Sequence, residues 1–256
     1  MKKVLEVKNL AYENIFNNLN ISFENNKIYS ISSSNNSGKT TLIRILKREI
    51  EINNTMFFDN TDLSNFKIHE LNKAITGVIP LEVKFLKDTL LEEIKLYTTD
   101  KKYIDYLVTN LNMRMLSKKK IDNLSKEEIV MSQILLSLSH RPKVLLLDAI
   151  SNYLSDKNFK KVMKFLKNYQ EKYKITVIMT TNNLSDILNT DYLYILNEGE
   201  VYLEGEPLEI LEKDNILNKI GLDIPFMIDL SVKLRDYDLI QNIELDKNRM
   251  VDILWK

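Results

Sequence analysis

The sequence predicts an α/β fold whose core strands run mostly parallel. Three observations carry that expectation. Strand-length apolar runs alternate with helix-period segments along most of the chain. Near the N-terminus a strand, the loop Ser33-Ser34-Asn35-Asn36-Ser37-Gly38-Lys39-Thr40-Thr41 and a helix follow one another. Much later, Val144-Leu145-Leu146-Leu147-Asp148 reads as a buried strand that ends in a carboxylate.

Taken in order, Lys3 to Val7, Leu19 to Phe23 and Ile28 to Ser32 alternate or run apolar in strand lengths, with Asn-rich turns between them. After the loop, Leu42, Ile45 and Leu46 start a helical period, with Arg44, Lys47 and Arg48 opposite. Leu90 and Ile94, then Ile104, Leu107 and Leu111, recur at helix spacing. A further helix is expected after Leu124-Ser125, through Ile129, Gln133 and Leu136. Phe159, Val162, Phe165, Leu166 and Tyr169 mark one face of an amphipathic helix with lysines on the other. Ile175 to Met179 is a second buried strand, and Tyr192–Leu196 and Val201–Leu203 flank Asn197-Glu198-Gly199-Glu200 as a hairpin. Beyond Gly205-Glu206-Pro207 the pattern is helical and charged to the end. No internal repeat, linker-like stretch or low-complexity block interrupts it.

Composition removes several classes of function. The chain has 256 residues and no cysteine, which excludes disulfide scaffolds, thiolate zinc sites and cysteine catalysis. Its 36 basic residues balance 36 acidic ones, so no global charge marks a nucleic-acid binder. No run approaches the roughly 18 apolar residues of a membrane span. The start, Met1-Lys2-Lys3-Val4-Leu5-Glu6, meets acid too early for a signal peptide, and the chain is expected to be soluble. Only five glycines are present, where average usage of about 7% predicts roughly 18. Loops that wrap phosphates usually need glycine, so the shortage bears directly on the Ser33–Thr41 segment.

Strand, Ser33-x-x-x-x-Gly38-Lys39-Thr40, helix is the order of a phosphate-binding loop with serine in place of its first glycine. Backbone N–H groups of such a loop and of the helix N-terminus surround phosphate oxygens. Lys39 would reach the β- and γ-phosphates, and Thr40 would hold Mg²⁺ through its hydroxyl.

The order of the remaining motifs resembles the nucleotide-binding subunits of ATP-binding cassette (ABC) transporters over almost the whole chain. Ser34 to Leu42 is similar to the family's Walker A loop, and Gly77-Val78-Ile79-Pro80-Leu81 sits where its Q-loop belongs. Thr89-Leu90-Leu91-Glu92-Glu93-Ile94 resembles the segment that follows. Leu124-Ser125-Lys126-Glu127-Glu128 lies at the signature, Pro142 to Asp148 at Walker B, and Thr180-Thr181-Asn182-Asn183-Leu184 at the H-loop. Gly205-Glu206-Pro207, then Ile220 to Phe226 and a Leu-rich helix to Leu234, resemble the C-terminal extension of energy-coupling factor (ECF) importer ATPases.

The resemblance implies a P-loop nucleotide-binding domain over residues 1–220, with an antiparallel N-terminal β subdomain and a helical subdomain at about 85–140. A helical extension follows over 221–256. It implies ATP and Mg²⁺ as cofactors, with Ser34, Asn35, Asn36, Ser37, Gly38, Lys39, Thr40, Thr41 and Asp148 around the nucleotide. Thr40 and Asp148 would serve the metal, Asp148 through water. Tyr12 is the candidate to stack on adenine; the usual register points nearer Asn14, and Phe16 is also placed to serve. The implied partners are a second ATPase subunit, a membrane T component and a substrate-capturing S component, on the cytoplasmic face of the cell membrane. Vitamins or similar micronutrients are the implied cargo.

Departures from the family pattern fall on its catalytic positions. Ala149 stands where a glutamate acts as general base or positions water, and loss of such a group typically costs about 10²–10⁴ in rate. Asn182 replaces a histidine and Leu81 a glutamine. In the signature, Lys126 and Glu127 replace two glycines and Glu128 a glutamine, so two carboxylates would repel a polyanion unless they swing away. Ser125 survives. AT-rich coding explains glycine giving way to Ser, Asn, Lys or Glu, but not the loss of glutamate at Ala149. The expectation is therefore ATP binding with impaired hydrolysis. Its rivals are a working transport ATPase, a noncatalytic scaffold and the ATPase of an unrelated exporter. His69 and His140 lie outside every motif and read as surface residues; Lys118-Lys119-Lys120 reads as a solvated loop.

Overall fold

Alternating burial along the first two strands commits them to a sheet with one covered face. β1 (Lys3–Tyr12) and β2 (Phe16–Glu24) pair antiparallel and bury Leu5, Leu10, Phe16, Leu19 and Phe23. β3 (Ile28–Ser33) is buried along its whole length and leads to α1 (Lys39–Leu46), which sinks Leu42, Ile43, Ile45 and Leu46 into the same core. The structure, a computed structural model, describes residues 2–34, 37–52 and 55–255.

Next come β4 (Met56–Phe58), β5 (Thr61–Asp62), α2 (Ile68–Ala74) and β6 (Ile75–Val78). These four are too short to announce themselves by periodicity, and the sequence reading left them unassigned. β4 completes the antiparallel sheet by pairing with β1, in the order β2-β1-β4-β5.

A helical region follows, made of α3 (Leu90–Lys95), α4 (Lys101–Asn110) and α5 (Lys126–Ser139). Two capping boxes fix its register: Thr89 with Glu92 starts α3, and Ser125 with Glu128 starts α5. α5 is buried on nearly all sides, from Val130 to Ser139, so it is the axis on which this region packs.

β7 (Val144–Asp148), α6 (Asp156–Tyr173) and β8 (Thr176–Thr181) follow. After α7 (Leu184–Ile187), the hairpin of β9 (Tyr192–Asn197) and β10 (Glu200–Gly205) closes a second sheet, ordered β10-β9-β3-β8-β7-β6. Every pair in it is parallel except β9 with β10. β7 and β8 read as continuous apolar runs because helices cover both faces of a parallel sheet.

The chain ends with α8 (Pro207–Leu211), α9 (Asp214–Lys219), α10 (Phe226–Asp236) and α11 (Lys247–Leu254). Leu217 before residue 221 and Leu222, Ile228 and Val232 after it share one apolar cluster with Leu193 and Ile195 of β9. The tail is not helical throughout: Asp238 turns left-handed at φ 58°, ending α10, and Asp246 caps α11 through the N–H groups of Asn248 and Arg249. No helix among the described residues is long and apolar enough to cross a membrane.

Tyr103 ties three helices together. Its hydroxyl donates to Leu138 O of α5 at 2.6 Å and meets the hydroxyl of the fully buried Tyr169 on α6. Tyr103→Phe leaves a carbonyl and a phenol short of a partner in the interior. We expect it to lower unfolding free energy by about 1–3 kcal/mol in urea titrations, with the m-value unchanged.

Candidate functional site

Gly38 is the residue that lets the loop after β3 enter α1. It sits at the N-cap with φ 86°, and a Cβ there would lie 2.2 Å from Ile15 Cγ2 and 3.0 Å from Phe16 Cζ. The β1–β2 hairpin tip therefore rests directly on the loop, and only glycine meets both demands. Gly199, in the β9–β10 turn, supports the same tip; a Cβ there would come within 2.4 Å of Ile15 O.

Lys39 folds back over the loop. Its ammonium donates to Ser33 O at 3.1 Å, Ser33 Oγ at 2.5 Å, Ser34 O at 3.0 Å and Ser37 Oγ at 3.3 Å. Ser33 Oγ and Ser37 Oγ are also hydrogen-bonded to each other. Burial lowers the Lys39 pKa to about 8, against the opposing pull of Asp148. Among the described residues this half-buried cation is met by neutral oxygens, which an incoming polyanion could displace.

Asp148 closes the other side. Thr40 Oγ1 donates to Asp148 Oδ2 at 2.8 Å, and Thr180 Oγ1 donates to Asp148 Oδ1 at 2.6 Å. The register makes this possible, because Asp148 lies opposite Thr180 in the β7–β8 ladder. Thr180 also accepts from Ala149 N, through Oγ1 at 3.0 Å and through its carbonyl at 3.1 Å. The sequence reading placed Thr180 at the H-loop without giving it this role; its alignment with Asp148 at two strand ends was the available signal.

The fit to Mg²⁺ follows from the donor set. Thr40 and Asp148 converge hard oxygen donors few enough to leave most of an octahedral shell to water and phosphate, as Mg²⁺ prefers. With Lys39 and the α1 N-terminus beside them, the residues present fit a magnesium-bound polyphosphate.

A cleft of about 600 Å³ opens over these groups. Ser37, Gly38, Lys39, Thr40, Thr41 and Asp148 all line it, as do Ala149 and Asn182. Asn35 and Asn36 lie outside the described residues. Tyr12 is not among the lining residues; it is the last residue of β1 and packs against the β-subdomain core, while Ile15 faces the cleft. Leu81 is likewise absent from the lining, whereas its neighbours Ile79, Pro80 and Glu82 form one wall.

Glu127 and Glu128, the carboxylates expected to repel a polyanion, are both held in local bonds. Glu127 Oε1 accepts from Ser155 N, Ser155 Oγ and Asn158 Nδ2, each at 2.8 Å, and the Ser155 N–H above all holds its pKa down. Glu128 pairs with Lys119 at 2.8 Å and accepts from Ser125 N at 2.9 Å, and its pKa is lowered by Lys119 first. Ser125 Oγ in turn accepts from Glu128 N, capping α5. His140 departs from its expected surface place. It is half-buried against the Tyr97 ring at 4.4 Å, and burial lowers its pKa. His69 is exposed as expected.

Ala149 carries φ 43° and ψ 39°, a left-handed conformation that costs an L-residue roughly 1–2 kcal/mol. Ala149→Gly is therefore expected to raise stability by about 1 kcal/mol in chemical denaturation, with the Asp148 hydrogen bonds retained.

Known proteins share this architecture. Residues 16–152 match the ABC transporter family. The ECF transporter ATP-binding protein EcfA of Pediococcus pentosaceus is 24% identical over 99% of this chain and 98% of its own length. EcfA1 of Mycoplasmopsis pulmonis is 26% identical over 90% of this chain and 93% of its own. Among solved structures, CbiO1 of Clostridium perfringens, described as part of the ABC transporter complex cbiONQ, superposes with a TM-score of 0.74 at 22% identity. That superposition covers 90% of this chain and 99% of CbiO1. The family match spans more than half of the sequence, and on it the chain belongs to the ABC transporter family, with its full-length likeness lying toward the ATP-binding proteins of ECF transporters.

Proposed function

We propose that this chain is an ATP-binding subunit of an ECF-type importer, able to hold MgATP but poor at hydrolysing it on its own Walker motifs. It would pair with a second ATPase subunit and pass the closure of that pair to a membrane T component. A separate S component would select the cargo, a vitamin or similar micronutrient. The chain would lie on the cytoplasmic face of the membrane, held there by those partners. Full-length likeness to EcfA proteins and the superposition on CbiO1 support the assignment.

One observation carries the nucleotide half of this reading: Lys39, Thr40 and Asp148 line a single cleft, in which Thr40 Oγ1 donates to Asp148 Oδ2 at 2.8 Å. Lys39 would exchange its loop carbonyls for phosphate oxygens. The first N–H groups of α1 would donate to the same anion, and Thr40 and Asp148 would orient the metal. Bound Mg²⁺ supplies charge neutralisation between the phosphates.

The hydrolytic half is weakened by what lines the same cleft. Ala149 ends in a methyl group and moves no proton. Asn182 could donate a hydrogen bond to a phosphate, but its amide carries no titratable proton. Without a positioned base, turnover should fall by about 10²–10⁴.

MgATP at 100 times its dissociation constant should add about 2.7 kcal/mol to stability. For a chain of this size that is a rise in melting temperature of roughly 5–10 °C. Lys39→Ala should abolish the rise without lowering the unliganded melting point by more than a few degrees; no rise in the wild type contradicts ATP binding. For the partners, purification of the native membrane complex should recover this chain with a second ATPase and two integral membrane proteins. Its recovery without membrane proteins contradicts the importer assignment.

A further inference from the structure

Residues 79–89, between β6 and α3, form a connection whose first part walls the cleft through Ile79, Pro80 and Glu82. A second cavity of about 400 Å³ lies behind it, also reached by Ile79 and Glu82, and Gln133 of α5 faces this space. Gln133 is only 5% exposed, and a primary amide buried inside a helical bundle needs partners on both of its ends. It finds them in the connection. Nε2 donates to Ile79 O at 3.0 Å, and Oε1 accepts from Leu81 N at 3.2 Å. Leu81 between them takes φ 66°, a strained conformation for a residue with a side chain. The amide satisfies the backbone on either side of the bend and so specifies it.

The same stretch is tied on its other flank. Arg44 of α1 donates to both oxygens of Glu82, at 2.6 and 2.7 Å. Its downstream end is fixed by Glu93, 2% exposed, which accepts from Leu86 N and Lys87 N at 2.9 Å. Residues 79–82 are thus bonded at once to α1, which begins at Lys39 and Thr40, and to α5, which Ser125 caps at its N-terminus. Gln133 stands eight residues from Ser125 on an unbroken helix, about 12 Å along its axis. A shift of the cleft wall therefore has a bonded route to the signature end of α5.

We infer that Gln133 is a positioning residue that couples the cleft wall at Ile79–Glu82 to helix α5, so that filling the cleft is felt at Ser125. The inference rests on the reading of the cleft as a nucleotide site. It concerns a side chain outside the cleft and outside every motif singled out in the sequence.

Hydrogen–deuterium exchange on the full chain, with and without MgATP, tests it in two variants, Gln133→Met and Gln133→Leu. Methionine keeps the volume of glutamine and removes only its polar ends. Without nucleotide, Gln133→Met should speed exchange of the Leu81 amide roughly tenfold, the loss of about one hydrogen bond. With MgATP, the wild type should slow exchange across 124–133; each variant should lose at least half of that response while its melting temperature still rises. An unchanged Leu81 amide in both variants overturns the proposal, as does a full response at 124–133 in both. MgATP that raises the wild-type melting temperature without affecting 124–133 overturns the coupling alone. MgATP without effect on the melting temperature overturns the nucleotide reading and the coupling together.

Discussion

Both oxygens of one carboxylate, Asp148, are taken by hydroxyls from different elements: Thr40 at the start of α1 and Thr180 near the end of β8. That pair of bonds fixes the loop helix, the central strand and its neighbour relative to one another. It depends on parallel register, because only strands that end together bring Asp148 and Thr180 side by side. The rest of the site is arranged around it. Ala149 bends away left-handed with its N–H on Thr180, and Lys39 is buried close enough to feel the Asp148 charge. The glycine-supported hairpin tip at Ile15 closes the loop from above.

The start of α5 accommodates its two carboxylates. They do not stand free at the helix N-terminus. Instead Glu128 completes a capping box and Glu127 binds the start of α6. Both satisfy N–H groups that a helix start leaves without intrahelical partners. Their negative charge is thereby held in local bonds, and Lys126 and Ser125 are left at the helix tip. The shortage of glycine is tolerated in the same manner. Gly38 and Gly199 remain where a Cβ would strike Ile15, whereas other positions of the phosphate loop and signature carry side chains.

Much of this was legible from sequence because its signals are local and periodic. The runs Val144–Asp148 and Ile175–Met179, the helix starting after Ser125 and the Asn197–Glu200 turn all appear where their patterns put them. Gly38, Lys39 and Thr40 stand out as one contiguous motif and Asp148 as the end of a buried apolar run, and the fold brings all four to one cleft. What escaped depends on contacts between distant segments. β4 and β5 exist because β1 offers an edge, which no local period announces. Ile15 rather than Tyr12 faces the cleft because the hairpin tip lands on Gly38. Thr180 and Gln133 are ordinary residues for a strand and a helix, and only their partners across the fold give them roles. His140 looked like a surface residue because nothing in the sequence places Tyr97 against it.

We propose that the residues needed to bind phosphates are kept while those that would move a proton are not. Single-turnover measurement on the isolated chain, with MgATP substoichiometric to protein and the bound nucleotide recovered after quenching, addresses it most directly. The account predicts saturable, Lys39-dependent retention of ATP that is recovered intact, with conversion to ADP at least about 100-fold slower than the roughly 10 s⁻¹ of a typical enzyme. Conversion to ADP at that typical rate, lost in Lys39→Ala, would contradict it.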